Sequence, residues 1–290
     1  MRLINPLLVI VLVLFLISAG VPKAEAGSAK VEFYPNPVAQ GKSFLVKVYP
    51  GHALKSVSGT IFGKSVRLYH LTDRFSGIIG VPVDATAGVN KLKLVLEQED
   101  GSIDELERNV VVNKTKFDRV QFWLKPTKKK LLSPQIVDDE WARVETELLK
   151  ESPKRLWSGD FRVPSIGRVS MRFGAWEIIN RSPSGRHRGV DYAGRSNYRV
   201  RAANTGKVVF ADYLEAFGNT IAIDHGQGIN SLYFHLSSIK VKQGDTVSKG
   251  QPIGFMGSTG VATGVHLHWG MSVHNLRVDP LQWVYGSIWK

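Results

Sequence analysis

Hydrophobic and polar positions change rhythm three times along this chain. Residues 7–17 are one unbroken apolar run. Residues 28–115 hold short stretches rich in β-branched and aromatic residues, partly alternating with polar ones: KVEFYP, SFLVKVYP, SVRLYHL and KLKLVLEQ. A period of two describes a half-buried strand. Turn residues punctuate these stretches at Pro35-Asn36-Pro37, Pro50-Gly51, Thr86-Ala87-Gly88 and Asp100-Gly101. Short strands at this spacing predict a small β-sandwich. Over residues 116–165 the rhythm turns helical. Val137, Trp141, Val144 and Leu148 recur at intervals of four, three and four, and Asp138, Asp139, Glu140, Arg143 and Glu145 fall on the opposite, solvated face. Ser133-Pro134 opens this helix and Glu151-Ser152-Pro153 ends it. After residue 166 glycine becomes dense and strands return as GKVVFAD, NTIAIDH, NSLYFHL, PIGFM and VHLHWGM. The fold class expected is all-β: a β-sandwich-like module at 28–115, a connector with a helix at 116–165, and a mostly antiparallel β domain at 166–290.

The N-terminal run has the layout of a secretory signal peptide spanning residues 1–26. Arg2 precedes the apolar stretch, and Ala24-Glu25-Ala26 follows it as an A-x-A-like cleavage site. An uncleaved inner-membrane anchor is the alternative, although the run is short of the ~20 residues that a span needs. Either way the chain is expected beyond the cytoplasm, in a periplasm or at the cell exterior. Its net charge is +13, and only Arg2, Lys23 and Glu25 are charged within residues 1–26, so +12 stays with the remainder. A basic exported protein suits an anionic envelope polymer better than nucleic acid. The strip Lys154-Arg155-Leu156-Trp157 is basic and aromatic, which suits either contact with such a polymer or a solvated turn. Cysteine is absent, so any metal must be held by histidine and carboxylate.

Six of the eight histidines fall after residue 166. His52 and His70, in the first module, stand apart and read as structural or surface histidines. In the alternating VHLHWGM stretch, His266 and His268 share one face and Leu267 takes the other. His187 and Asp191 are four apart, which also puts them on one face of an extended segment. A histidine and a carboxylate there, joined by one later histidine, make a three-ligand site with an open position, as catalytic zinc requires. His235 ends the strand NSLYFH and is a fourth candidate.

These residues, in this order, resemble the lysostaphin/LytM-type zinc endopeptidases that cut peptidoglycan cross-bridges. The resemblance covers about Val169 to Pro280. His187-x-Gly189-x-Asp191 corresponds to the first metal motif and His266-Leu267-His268 to the second. Between and around them Phe173-Gly174, Gly206-Lys207-Val208-Val209, Ile223-Asp224-His225-Gly226, Tyr233-Phe234-His235-Leu236, Gln251-Pro252-Ile253-Gly254 and Gly257-Ser258-Thr259-Gly260 follow the family order. The resemblance implies a Zn²⁺ held by His187, Asp191 and His268, with His235 and His266 flanking the attacking water. It implies a substrate among peptidoglycan stem peptides or cross-bridges, and envelope proteins as regulators. The cleft is expected between walls at Phe173–Arg186 and Tyr213–Asn219, with the N-terminal module or the connector placed to cover it. Arg186 and Arg188 are candidates to steer an anionic wall fragment. One departure stands out: Gly270 follows Trp269 where many relatives carry glutamate. A non-catalytic wall-binding or amidase-activating module is the alternative, but such relatives usually lose a metal ligand. The Val241–Met256 stretch also resembles the turn of biotin- and lipoyl-carrier domains, without their exposed lysine beside methionine.

Overall fold

The computed structural model describes residues 29–286. The signal-peptide or anchor reading of residues 1–26 therefore lies outside the described residues. Among those described, no helix is long and apolar enough to cross a membrane. The protein is mostly β, as the alternating patterns require.

Eight strands come first: β1 (Lys30–Tyr34), β2 (Val38–Ala39), β3 (Ser43–Tyr49), β4 (Leu54–Ile61), β5 (Lys64–His70), β6 (Phe75–Gly80), β7 (Gly88–Gln98) and β8 (Ile103–Asn113). They pair in the order β1-β3-β6-β5-β4-β7-β8-β2. Inward positions such as Phe44, Val46, Val57, Leu68, Ile79, Leu94 and Val112 form one core. β4 and β8 keep the buried-exposed alternation of a half-buried sheet, while β3 is buried at nearly every position. The reason is a second contact. Leu45 of β3 and Ile78 of β6 point away from their own core and join the core of the C-terminal part.

The connector supplies more than a helix. It contains β9 (Arg119–Phe122), a short α1 (Pro126–Lys130) and α2 (Pro134–Leu148). The remaining strands are β10 (Arg168–Met171), β11 (Trp176–Ile179), β12 (Ser182–Arg186), β13 (Val190–Ala193), β14 (Arg199–Arg201), β15 (Gly206–Leu214), β16 (Gly218–Gly226), β17 (Ile229–Leu236), β18 (Ser238–Ile239), β19 (Thr246–Val247), β20 (Pro252–Phe255), β21 (His266–Val273) and β22 (Leu276–Val278). Helix α3 (Leu281–Tyr285) follows. The main sheet runs β10-β13-β21-β17-β16-β15-β19, with β22 on β21, all antiparallel. β9 adds to β11 in parallel, opposite β12.

Both faces of this sheet are covered, which explains why β16 and β17 are buried almost throughout. Leu267, Trp269, Met271 and Val273 of β21 and Tyr233 of β17 pack into one core with Trp157, Phe161 and Trp283. The expectation for Lys154–Trp157 is therefore corrected at Trp157. Trp157 is a core residue under Arg155, whose guanidinium stacks 3.5 Å from the ring centroid, while Lys154 and Arg155 stay exposed. On the opposite face, Val144 and Leu148 of α2 pack on Phe210, Leu232 and Phe234. Glu140, expected on the solvated face of that helix, is buried. Its carboxylate accepts the backbone N–H groups of Glu215 and Ala216 and fixes α2 to the β15–β16 turn.

The N-terminal sandwich is clamped to the β22–α3 edge. Lys42 pairs with Asp279 at 2.6 Å, and Gln282 exchanges hydrogen bonds with the Ser43 backbone. Tyr69 stacks on His274, and both hydrogen-bond Glu151. Burial pushes the Glu151 carboxyl up, but His274, Tyr69 and Arg67 together bring it below its ordinary 4.5. A carboxylate lowered on folding stabilises above its unfolded pKa and loses that contribution as pH falls through the folded one. Glu151→Gln is accordingly expected to cost about 1–2 kcal/mol at pH 7. The gap in melting temperature between wild type and variant should narrow as pH drops below about 4.3; a gap that does not change with pH would contradict this role.

Candidate active site

The site is assembled by strand register. β13 pairs with β21 so that Asp191 lies directly opposite His268 and Ala193 opposite His266. On β21 the even positions His266, His268, Gly270 and Ser272 share one face, and the odd positions are the core residues named above. β17 lies on the other side of β21, with Phe234 opposite His268. Their rings stack at 5.2 Å. His187 follows β12, four residues before Asp191. Its backbone is tied at both ends, N–H to the Ala175 carbonyl and carbonyl to the Gly174 N–H.

Three donor atoms converge there. His187 Nε2 and Asp191 Oδ1 are 3.0 Å apart, His268 Nδ1 and Asp191 Oδ1 2.9 Å, and His187 Nε2 and His268 Nδ1 3.0 Å. All three residues are buried. The Nδ1 of His187 faces the Arg172 carbonyl at 3.1 Å. A carbonyl only accepts, so Nδ1 carries the proton and Nε2 presents a bare lone pair. At most one proton can serve three acceptor-capable atoms so arranged, whereas a cation satisfies all of them. Tetrahedral zinc with arms of about 2.0–2.1 Å spaces its ligands roughly 3.3 Å apart. The triangle is thus a few tenths of an ångström tight and otherwise of the right shape and chemistry.

Burial and neighbouring charge act in opposite senses on the three groups. Burial alone would raise Asp191, but His187 and His268 hold its carboxyl well below the usual carboxylate range. Burial pushes His268 down to about 4 despite Asp191, with His187 and Arg277 adding to the effect. For His187, burial opposes protonation, yet Asp191 and Glu177 outweigh it and the pKa rises.

The other two sequence candidates border the same spot. The His235 and His266 rings are 4.8 Å apart, and His266 Nε2 lies 4.0 Å from Asp191 Oδ2. Each donates Nδ1–H to a carbonyl at 2.9 Å, His235 to Thr259 and His266 to Gly264. Both therefore leave Nε2 bare. His235 sits at φ +63°, a left-handed backbone uncommon outside glycine and typical of functional sites. Burial, with His266 and His268, pushes its pKa down to about 3. His225, by contrast, is a core residue bonded to the Thr205 carbonyl and Ser231, away from this cluster.

The cluster lines a cleft of about 790 Å³. Two walls match expectation, at Glu177–Arg186 and Ala216–Phe217, and Val261–Val265 is a further one. The connector supplies another through Val120, Phe122, Val137 and Trp141, while none of the residues lining this cleft comes from the first eight strands. The connector, then, covers the site and the sandwich does not. Arg186 is held as a brace, stacked 3.6 Å from the Trp176 ring centroid and bonded to the Gly174 carbonyl; Arg188 is exposed at the rim.

Three cleft residues escaped the sequence reading. Glu177 lines the cleft, and burial raises its pKa. Arg277 lies over Gly270. Trp141, read only as helix core, reaches the cleft. Glu177 lies within the wall expected at Phe173–Arg186 and Trp141 on the face read as helix core, but neither was singled out, and Arg277 carries no spacing signal.

Comparisons with known proteins agree with this geometry. Residues 185–280 match the model of Peptidase family M23. The DD-carboxypeptidase/endopeptidase Mpg of Neisseria meningitidis is 40% identical over 95 residues, 33% of this chain and 22% of that protein. The peptidoglycan DD-endopeptidase ShyA of Vibrio cholerae is 38% identical over 96 residues, again 33% and 22%. The chain thus spans about a fifth of the length of these curated relatives. A solved structure from Pseudomonas aeruginosa assigned to peptidase M23 is 27% identical, with a TM-score of 0.62 over 86% of this chain and 94% of that one.

Gly189, between His187 and Asp191, has a steric reason. A Cβ there would sit 2.5 Å from His268 Nε2 and 2.6 Å from the Trp269 carbonyl. Gly189→Ala should therefore lower stability by about 1–3 kcal/mol through overpacking and weaken metal uptake measured by zinc titration. Unchanged zinc affinity would show that this close approach does not set the position of His268.

Proposed function

We propose that this chain, whose C-terminal domain belongs to Peptidase family M23, is a zinc-dependent endopeptidase that hydrolyses peptide cross-links of peptidoglycan in the cell envelope. The observation that carries this reading is the meeting of His187 Nε2, Asp191 Oδ1 and His268 Nδ1 within 3.0 Å of one another. They do so beside two histidines with free Nε2 atoms, in an open cleft. These three side chains would hold the zinc, which when bound supplies Lewis acidity to the scissile carbonyl and to water.

The protein's own part is orientation and proton transfer. His266 is the more accessible of the two free histidines, and its Nε2 takes a proton from the attacking water. Once protonated, the same nitrogen can return the proton to the leaving amine. Burial keeps His235 neutral, so its Nε2 accepts a hydrogen bond and orients the water. The Thr259 and Gly264 carbonyls fix both tautomers, so neither ring has to reorganise during the reaction. Arg188, exposed at the rim, faces an anionic wall fragment. The substrate is a stem peptide or cross-bridge, and export through residues 1–26 brings the enzyme to it. Envelope proteins are the natural regulators. The presence of every metal and proton-transfer candidate, His187, Asp191, His235, His266 and His268, favours catalysis over the non-catalytic activator alternative.

Purified protein with zinc is expected to convert cross-linked muropeptide dimers in sacculi to monomers, leaving glycan strands whole. Chelation should stop this and zinc restore it. His268→Ala should lose both stoichiometric zinc and turnover. His266→Ala should keep zinc and lose about 10²-fold or more in rate. Zinc bound by wild type with no cleavage of any cross-linked substrate would refute the enzymatic reading.

A further inference from the structure

Arg277 is a cation of the cleft without a partner. It stands on β22 opposite Ser272 of β21, on the face that carries His266, His268 and Gly270. Its guanidinium lies over Gly270, where a Cβ would meet Nη1 at 2.6 Å. Glycine at this position is what gives the side chain room. Trp141 of α2 covers the guanidinium at 4.2 Å from its ring centroid, and the Phe234 centroid is 5.6 Å away. Nη1 is buried with no hydrogen-bond partner. Among the described residues no carboxylate pairs with it, including the cleft's own Asp138, Glu177 and Asp191. Burial and nearby Arg188 push its pKa down to about 9, which leaves it cationic at neutral pH.

A desolvated charge is costly unless something pairs with it. With Trp141 and Phe234 beside it and Nη1 without a hydrogen-bond partner, the guanidinium keeps N–H groups able to receive a carboxylate in a two-pronged hydrogen bond. His268 and the guanidinium flank the same Phe234 ring, at 5.2 and 5.6 Å from its centroid. A peptide lying over the metal ligands reaches Arg277 within about three residues at ~3.3 Å per residue.

We propose that Arg277 forms an anion subsite that receives a carboxylate of the peptide substrate within a few residues of the scissile amide. This rests on the hydrolase reading above and adds a substrate requirement to it: a negative charge next to the cut. Gly270 and Arg277 act together, the first by absence of a side chain and the second by filling the space.

The test uses synthetic cross-linked peptides in which each carboxylate in turn, beside the leaving amine or at a free C-terminus, is converted to a carboxamide. Zinc-loaded full-length protein is assayed on each, and binding of the same peptides to metal-stripped protein is measured by calorimetry. Amidation of one carboxylate is expected to raise the wild-type KM about 10- to 100-fold, as for a charged hydrogen bond, with little change in kcat. The position that responds identifies the source of the charge. Arg277→Gln should lose the same factor on the free-carboxylate peptide and become indifferent to amidation, while Arg277→Lys should recover part of it. Wild type that cleaves and binds all the peptides equally, or an Arg277→Gln protein that still discriminates, would overturn the proposal. If Arg277→Gln does not fold, Arg277→Lys is run on the same series, and an amidation effect as large as in wild type there overturns the proposal. If no peptide is cleaved, the hydrolase reading fails, and the calorimetry still decides whether Arg277 recognises the carboxylate.

Discussion

The antiparallel register between β13 and β21 is the constraint on which the site depends. It sets Asp191 opposite His268. A slip of one residue would turn His266 and His268 into the core and Leu267 and Trp269 into the cleft. The slip is prevented by the fully buried odd face of β21, where Leu267, Trp269, Met271 and Val273 lock into one core. Burying such side chains stabilises by about 1.5–3 kcal/mol each, far more than the polar face could resist. Apolar packing on one side of a single strand thus fixes the position of polar chemistry on the other.

The polar face is then refined by backbone carbonyls. Arg172, Thr259 and Gly264 each accept Nδ1–H from a different histidine, which turns three Nε2 atoms toward one region. Each carbonyl belongs to a loop, and those loops are held from outside the sheet. Glu140 of α2 ties down the turn at Glu215–Ala216, and the Phe217 carbonyl accepts the His235 N–H. The connector helix therefore takes part in the site twice, as a wall through Trp141 and as the anchor of the segment behind His235. The sandwich is attached at a different edge, through Asp279, Gln282 and Glu151.

Much of this was legible in the sequence, for physical reasons. Alternation in VHLHWGM is a local property, so the facing of His266 and His268 could be read directly. The same holds for the periodicity of Val137, Trp141, Val144 and Leu148. The five candidate residues could be named because the alternation at His266 and His268 and the spacing of His187 and Asp191 are local, and because their order, with His235, resembles that of zinc endopeptidases. What could not be read depends on contacts between distant segments. Glu140 looked solvated because its hydrogen-bond donors, two backbone N–H groups about 75 residues away, leave no mark on helical spacing. Trp157 looked like a surface aromatic because its core partners Phe161 and Trp283 are brought in by tertiary packing. β9 was hidden inside the connector because a parallel edge strand of four residues gives too short a pattern. Arg277 was silent for the same reason: only the structure shows that the space at Gly270 is filled by a side chain seven residues on.

The claim that ties these parts together is that register and carbonyl contacts bring His187, Asp191 and His268 to a single metal. Zinc-edge anomalous diffraction from crystals of the zinc-loaded protein tests it most directly. One strong peak is expected within bonding distance of His187 Nε2, Asp191 Oδ1 and His268 Nδ1, with zinc–nitrogen distances of about 2.0–2.1 Å. A peak elsewhere, or coordination that leaves out Asp191 or uses His268 Nε2, would contradict it.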